Sequence, residues 1–133
     1  MDSEQFKLLY NNSSPVELAK LAIRPDLTSE QVKKLYDDGW RSRSSIKNNI
    51  KSAKKLTSTQ IDNLIKTGIA EIQCLVADRI ERDNMFLTNI QIVDFIETGI
   101  PEILNLLKRK YVNNNEYKKL SSIVQFKLLQ SLM

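Results

Sequence analysis

The sequence predicts an all-α protein, a short α-solenoid of about four helix pairs followed by a C-terminal capping helix. Three observations predict it: a helix-start motif recurs along the chain, apolar residues follow each copy at helical spacing, and glycines stand where those helices should end. The 133 residues suffice for one domain with its own core. We predict one helical-repeat domain over 1–133, with repeats at about 1–26, 27–55, 56–86 and 87–119 and a capping helix over 120–133.

The recurring motif is a capping box, in which a small polar residue is followed three residues later by glutamine. The side-chain oxygen of the first residue accepts a hydrogen bond from a free N–H of the first helical turn, and the glutamine bonds back to the cap residue. A leucine before each threonine cap and a β-branched residue at the fourth helical position would add a hydrophobic staple. The predicted cap residues are Asp2, Thr28, Thr57, Thr88 and Ser122.

Each motif starts a predicted helix of about 11 residues, which we call an A helix. Apolar residues recur at positions i, i+3 and i+4 after the start, as at Val32, Leu35 and Tyr36. The three glycines of the chain are predicted to end A helices in the left-handed conformation that glycine adopts without strain. These glycines are Gly39, Gly68 and Gly99.

Between the A helices we predict four B helices. Pro15 and Pro101 would stand in the first turn of two of them, where proline is tolerated, and the most polar B helix would run over 43–55. The chain would then alternate A and B helices and finish on an A helix, nine helices in all. Because one helix pair cannot bury its apolar face alone, stacked pairs would share a continuous core.

Two segments resemble linkers of a known repeat class. Residues 22–28 (AIRPDLT) place an alanine at a helix end, then a proline, then a leucine–threonine pair that opens the next helix; residues 40–46 (WRSRSSI) have a tryptophan followed by arginines and a short apolar helix. In these features the chain resembles variant leucine-rich repeat and HEAT-like bacterial repeat proteins. The resemblance implies a right-handed superhelix that binds other macromolecules, and it implies no catalytic residue.

Composition argues against several functional classes. No apolar stretch approaches the roughly 18 residues that a membrane span needs, and the N-terminal residues are too polar for a secretory signal. Histidine is absent, which removes the most frequent general base and metal ligand. The one cysteine, Cys74, is expected in the core. We therefore expect a cytoplasmic, non-enzymatic protein without a cofactor or metal.

Positive charge is concentrated in the second repeat, where residues 28–56 carry a net charge of +5. Arg43, Lys47 and Lys51 lie four residues apart and would form one ridge along a B helix. The ridge could be a solvated surface, or it could bind an acidic protein or nucleic-acid phosphates. Trp40 would either pack between repeats, which we favour, or anchor a partner. The tentative binding residues are Trp40, Arg41, Arg43, Lys47, Lys51, Lys54 and Lys55.

Three further groups of residues allow a structural or a functional interpretation. An acidic cluster alternates with arginines and is expected to form surface ion pairs rather than a metal site: Asp78, Glu81 and Asp83, with Arg79 and Arg82. A basic run is expected to complement the helix dipole in the last turn of a B helix: Lys108, Arg109 and Lys110. The last helix is apolar on more than one side, and exposed residues on it could mediate self-association: Leu128, Leu132 and Met133.

The leading functional hypothesis is an interaction protein that binds another protein as an adaptor or inhibitor. The 11 asparagines and 14 isoleucines, with many lysines, favour an A+T-rich genome. A phage-encoded protein that acts on a host enzyme is one such setting, by analogy alone. The alternative hypothesis is binding of a nucleic-acid backbone through the basic ridge.

Overall fold

The computed structural model of the chain describes residues 1–113 and 116–132, and within these residues the protein is all-helical, with nine α-helices and no strand. The predicted helical class and helix order are confirmed for this part of the chain. The helices are α1 (Ser3–Asn12), α2 (Pro15–Leu21), α3 (Ser29–Asp38), α4 (Trp40–Ser52), α5 (Ser58–Lys66), α6 (Ala70–Arg82), α7 (Asn89–Thr98), α8 (Pro101–Leu107) and α9 (Ser122–Ser131). A π-helical segment, Lys108–Val112, and a 3₁₀ turn, Glu116–Lys119, lie between α8 and α9.

The chain forms two compact units, and the division falls inside α6, between residues 72 and 73. In the first unit α4 packs against α2 and α3, and α3 packs against α5; Leu35, Ile46 and Ile50 are buried there. In the second unit α7 packs against α8 and α9 around the buried side chains of Phe95 and Leu128. Each unit therefore has its own apolar core.

Four of the five predicted helix starts are confirmed. Complete capping boxes begin α3, α5 and α7; at Thr28 the backbone N–H donates to Gln31 Oε1 over 2.9 Å, and the Gln31 N–H donates to Thr28 Oγ1 over 3.2 Å. At α1 the Asp2 carboxylate accepts from two backbone N–H groups, those of Glu4 and Gln5. Local side-chain chemistry thus satisfies the free N–H groups at these boundaries.

The fifth predicted start, at Ser122, is wrong by one residue. Ser121 is the N-cap of α9, and its hydroxyl accepts from the N–H of Val124. Gln125 is then one position too far along the helix to close a capping box. Its amide instead donates to the carbonyl oxygens of Tyr117 and Leu120, which belong to the preceding turn.

The predicted role of the glycines is confirmed at two positions and wrong at the third. Gly68 and Gly99 have φ values of 72° and 66°, in the left-handed region. Gly39 has a φ of 173° and ψ of 175°, which is extended backbone, and it joins α3 directly to α4. Gly39 is also the N-cap of α4, and an N-cap residue has extended rather than left-handed backbone.

The different backbone conformations of Gly99 and Gly39 predict different effects of alanine substitution on stability. An added Cβ would meet no atom within 4 Å at either glycine, so steric clashes contribute to neither outcome. Gly99→Ala should lower the free energy of unfolding by about 1–2 kcal/mol, because alanine is strained in the left-handed region. Gly39→Ala should change it by less than about 0.5 kcal/mol, since the loss of unfolded-state entropy offsets a weaker helix N-cap. Urea unfolding of both variants measures the difference; equal losses would contradict it.

Two B helices begin at their prolines as predicted, and the polar B helix differs from its predicted bounds. Pro15 and Pro101 are the first residues of α2 and α8. The polar B helix begins at Trp40, three residues before the predicted 43–55 segment, and ends at Ser52. Consequently, Lys54 and Lys55 lie in the connection to α5 and not on the helix.

Candidate partner-binding site

The exposed face of α4 is the first candidate site. Ser42, Ile46 and Ile50 form its buried side. Trp40, Lys47 and Lys51 are spaced i, i+7 and i+11, so helical geometry places them in one row outside this buried side, along roughly 16 Å of helix axis. The structure therefore joins Trp40 to the basic ridge, a relation that the sequence analysis did not draw.

Trp40 does not pack between repeats as we expected, because its side chain is 71% exposed. It occupies the first position of α4, directly after the extended Gly39, on the side of the helix away from the core. The guanidinium carbon of Arg41 lies 5.0 Å from the centre of the Trp40 ring, and Arg41 is exposed as well. A large aromatic surface and a cation are thus presented together to solvent.

Arg43 and Lys47 of the ridge bind other parts of the first unit. The Lys47 Nζ lies 2.6 Å from Glu71 Oε1, and the Tyr36 hydroxyl donates to Glu71 Oε2 over 2.5 Å. The guanidinium of Arg43 stacks 4.6 Å from the centre of the Tyr36 ring, and its Nε donates to the Tyr36 carbonyl over 3.4 Å. The ridge is therefore partly neutralised within the chain.

The electrostatics of this cluster follow from its geometry. The ammonium of Lys47 and the hydroxyl of Tyr36 both bind the carboxylate of Glu71 and hold its pKa below its usual range. Burial, together with the hydrogen bond to Glu71, raises the pKa of the Tyr36 hydroxyl. Glu71 therefore stays ionised and Tyr36 stays protonated at neutral pH, which preserves the arrangement.

The sequence did not indicate Tyr36 and Glu71 as members of this site, because they are 35 residues apart in the chain. One signal was present. Tyr10 and Tyr36 coincide when the first two repeats are aligned, and the Tyr10 hydroxyl likewise donates to a carboxylate, that of Asp38, over 2.7 Å. A tyrosine that recurs at this repeat position therefore indicates a hydrogen bond to a carboxylate as well as a place in the apolar stripe.

Cys74 lies partly exposed, and not in the core as expected. It lines an open cavity of about 380 Å³ in the second unit, together with Asp78, Glu102 and Asn105. Burial and the nearby carboxylates of Glu102 and Asp78 raise the pKa of the thiol. The thiol is protonated at neutral pH and is a weak nucleophile there.

Within the described part of the chain, two members of the acidic cluster form ion pairs, and only Asp83 pairs with the arginines that alternate with it. Asp83 pairs with Arg79 over 2.6 Å and with Arg82 over 3.1 Å, and Glu81 pairs with Arg109 over 2.7 Å. The guanidinium of Arg79 contributes most to lowering the pKa of the Asp83 carboxyl. In the described residues no group of three or more histidine, cysteine, aspartate or glutamate side chains is placed to hold a metal ion.

The basic run does not lie in the last turn of an α-helix, because α8 ends at Leu107 and the run begins the π-helical segment. Its side chains contact the connection between α6 and α7. Lys110 Nζ donates to Asn84 Oδ1 over 3.2 Å and lies 4.8 Å from the centre of the Phe86 ring. Arg109 binds Glu81 on α6. Arg109 and Lys110 are nevertheless in the last turn of this segment, so the predicted complement to the helix dipole stays a prediction beside these contacts.

The exposure expected on the last helix is wrong for Leu128, which is fully buried. Leu132 is half-buried, and Met133 lies outside the described residues. The exposed apolar side chains of α9 are instead Ile123, Phe126 and Leu129, spaced three residues apart on the side opposite Leu128. Self-association through this helix stays a prediction. Leu128 cannot take part in it, because its side chain is buried.

Comparisons with protein-family models, with curated proteins and with solved structures return no match to this chain. Among the described residues, no helix combines the length and apolar character that crossing a membrane requires.

Proposed function

We propose that this chain is a non-enzymatic helical-repeat interaction protein that binds an acidic surface of a partner protein through the exposed face of α4. The observation that carries the proposal is the position of Trp40. It is 71% exposed in the same helical row as Lys47 and Lys51, and Arg41 stacks on it. Tryptophan and arginine are the residues most enriched among those that dominate binding energy at protein interfaces.

The proposal includes a right-handed α-solenoid as the arrangement of the helix pairs. Its support is the near-identical construction of successive helix starts, since α3, α5 and α7 each begin with a Thr–Gln capping box. Helix pairs that are built in the same way favour the same packing between successive pairs. An adaptor or an inhibitor, including a phage-encoded inhibitor of a host enzyme, is the proposed biological role.

A protein partner is favoured over a nucleic-acid backbone for two reasons. First, the anion that Lys47 and Tyr36 already bind is the carboxylate of Glu71, which is the group that an acidic protein surface supplies. Second, Trp40 is the one tryptophan of the chain, and a single exposed ring offers little stacking surface for successive bases. The exposed Lys54 and Lys55 would still attract any polyanion, so the test includes DNA.

Intrinsic fluorescence tests the proposal directly, because the single tryptophan lies on the proposed surface. Poly-L-glutamate, as a minimal acidic polypeptide, should shift Trp40 emission to shorter wavelength as binding removes the ring from water. A 20-base-pair duplex DNA is titrated in parallel over a range of salt concentrations. Tighter binding to the duplex, with a steep salt dependence, would favour the nucleic-acid alternative. No change with either polyanion would refute binding at this surface.

The variant Trp40→Ala should weaken binding of fluorescein-labelled poly-L-glutamate by roughly 30-fold, a cost of about 2 kcal/mol that is typical of an interface anchor. Fluorescence anisotropy of the labelled polymer measures the affinity without the tryptophan. The matched control is Ile90→Ala, which removes another exposed apolar side chain, 69% exposed, in the second unit. The control should bind as the parent protein does; equal losses in both variants would contradict a role specific to Trp40.

A further inference from the structure

We propose that Tyr36, Arg43 and Lys47 form a carboxylate-binding site, which Glu71 occupies in this structure and which an acidic side chain of the partner can take over. The inference rests on the proposed function and adds to it the chemical group that the partner supplies. It also assigns Glu71 a role as an intramolecular competitor of that partner.

The geometry is that of a carboxylate receptor built by α3 and α4. One oxygen of the Glu71 carboxylate accepts from the Tyr36 hydroxyl over 2.5 Å, and the other lies 2.6 Å from the Lys47 Nζ. Each oxygen therefore has its own donor. Charge-assisted hydrogen bonds of this length are among the strong ones in proteins, and a second carboxylate could accept both.

The tyrosine of the site is buried, whereas the carboxylate that the site binds is exposed to solvent. Tyr36 is only 7% exposed, and the stacked guanidinium of Arg43 covers its ring. In contrast, the side chain of Glu71 is 49% exposed and that of Lys47 is 32% exposed. An incoming carboxylate can thus reach the hydroxyl and the ammonium from solvent, without rearrangement of the core.

Glu71 differs from the donors in how it is held. It projects from the first turn of α6, whereas Tyr36 lies on α3 and both cations lie on α4. Rotation about its side-chain bonds would release both oxygens to water and leave the donors in place. Because the resident ligand is tethered, a partner must compete with it, which lowers the apparent affinity for the partner.

Removing the charge of Glu71 should therefore strengthen binding to an acidic probe. The variant Glu71→Gln has nearly the same shape and can still accept from the Tyr36 hydroxyl, but its neutral amide no longer neutralises Lys47. We expect fluorescein-labelled poly-L-glutamate to bind this variant about fivefold or more tightly than the parent protein, within the usual range of coupling between sites. The double variant with Lys47→Gln should lose the gain.

The control is Glu30→Gln, which changes the net charge equally at an exposed position on α3. It should alter the affinity by less than about twofold, and urea unfolding checks that both variants remain folded. If Glu71→Gln and Glu30→Gln bind equally while Trp40→Ala still weakens binding, the competitor role is wrong and the proposed function stands. If neither the parent protein nor Glu71→Gln binds the polymer, both proposals are overturned.

Discussion

Phe95→Ala is expected to lower the free energy of unfolding by about 3–5 kcal/mol, the typical cost of removing a buried phenylalanine. Phe95 lies in the middle of α7, has no exposed surface, and belongs to the core that α7, α8 and α9 share. The substitution loses the transfer free energy of the ring and leaves a cavity that the surrounding helices fill only in part. Urea unfolding followed by circular dichroism measures the change.

Phe126→Ala provides the matched control for this substitution. Phe126 is on α9, the helix that packs against α7, but its ring is 67% exposed. Truncation there leaves no cavity, so we expect a change of less than about 1 kcal/mol. Comparable losses in the two variants would mean that the outer face of α9 is covered.

Leu128→Ala should lower the free energy of unfolding by about 2–5 kcal/mol. Leu128 has no exposed surface, and α9, on which it lies, packs against α7. This expectation reverses the sequence-based one, which placed Leu128 on an exposed surface. Thermal and urea unfolding should both show the loss at low protein concentration, where self-association does not contribute.

The neighbouring Leu129 is the control for Leu128. It is 45% exposed, so Leu129→Ala should cost roughly half as much or less, through the smaller apolar area that it removes from contact. The two substitutions delete the same atoms at adjacent positions of one helix. A larger loss at Leu129 would reverse the orientation of α9 described above.

The sequence predicted a helix start correctly where the capping box and the hydrophobic staple were both present. Thr28, Thr57 and Thr88 each have the glutamine and the preceding leucine that together define one boundary. At the last helix two serines are adjacent, and the motif alone could not choose between Ser121 and Ser122. With Ser121 as the N-cap, Gln125 donates hydrogen bonds to Tyr117 and Leu120. These bonds depend on how the preceding turn folds.

The candidate site was predicted less completely than the fold. The basic residues of α4 were visible as a charge pattern, yet nothing local showed that Lys47 binds Glu71 or that Arg43 stacks on Tyr36. These contacts join residues from different helices. A charge pattern states which cations are present, and only packing decides which of them remain available to a partner.

Sequence by itself determined the helical class, the order of the helices and most of their first residues, because capping and apolar periodicity act over a few neighbouring residues. Tertiary structure alone decided that Trp40 faces solvent, that Leu128 faces the core and that Glu71 neutralises part of the ridge. Exposure and ion pairing depend on which surfaces meet when helices pack. That outcome is a property of the whole fold, and short-range patterns do not contain it.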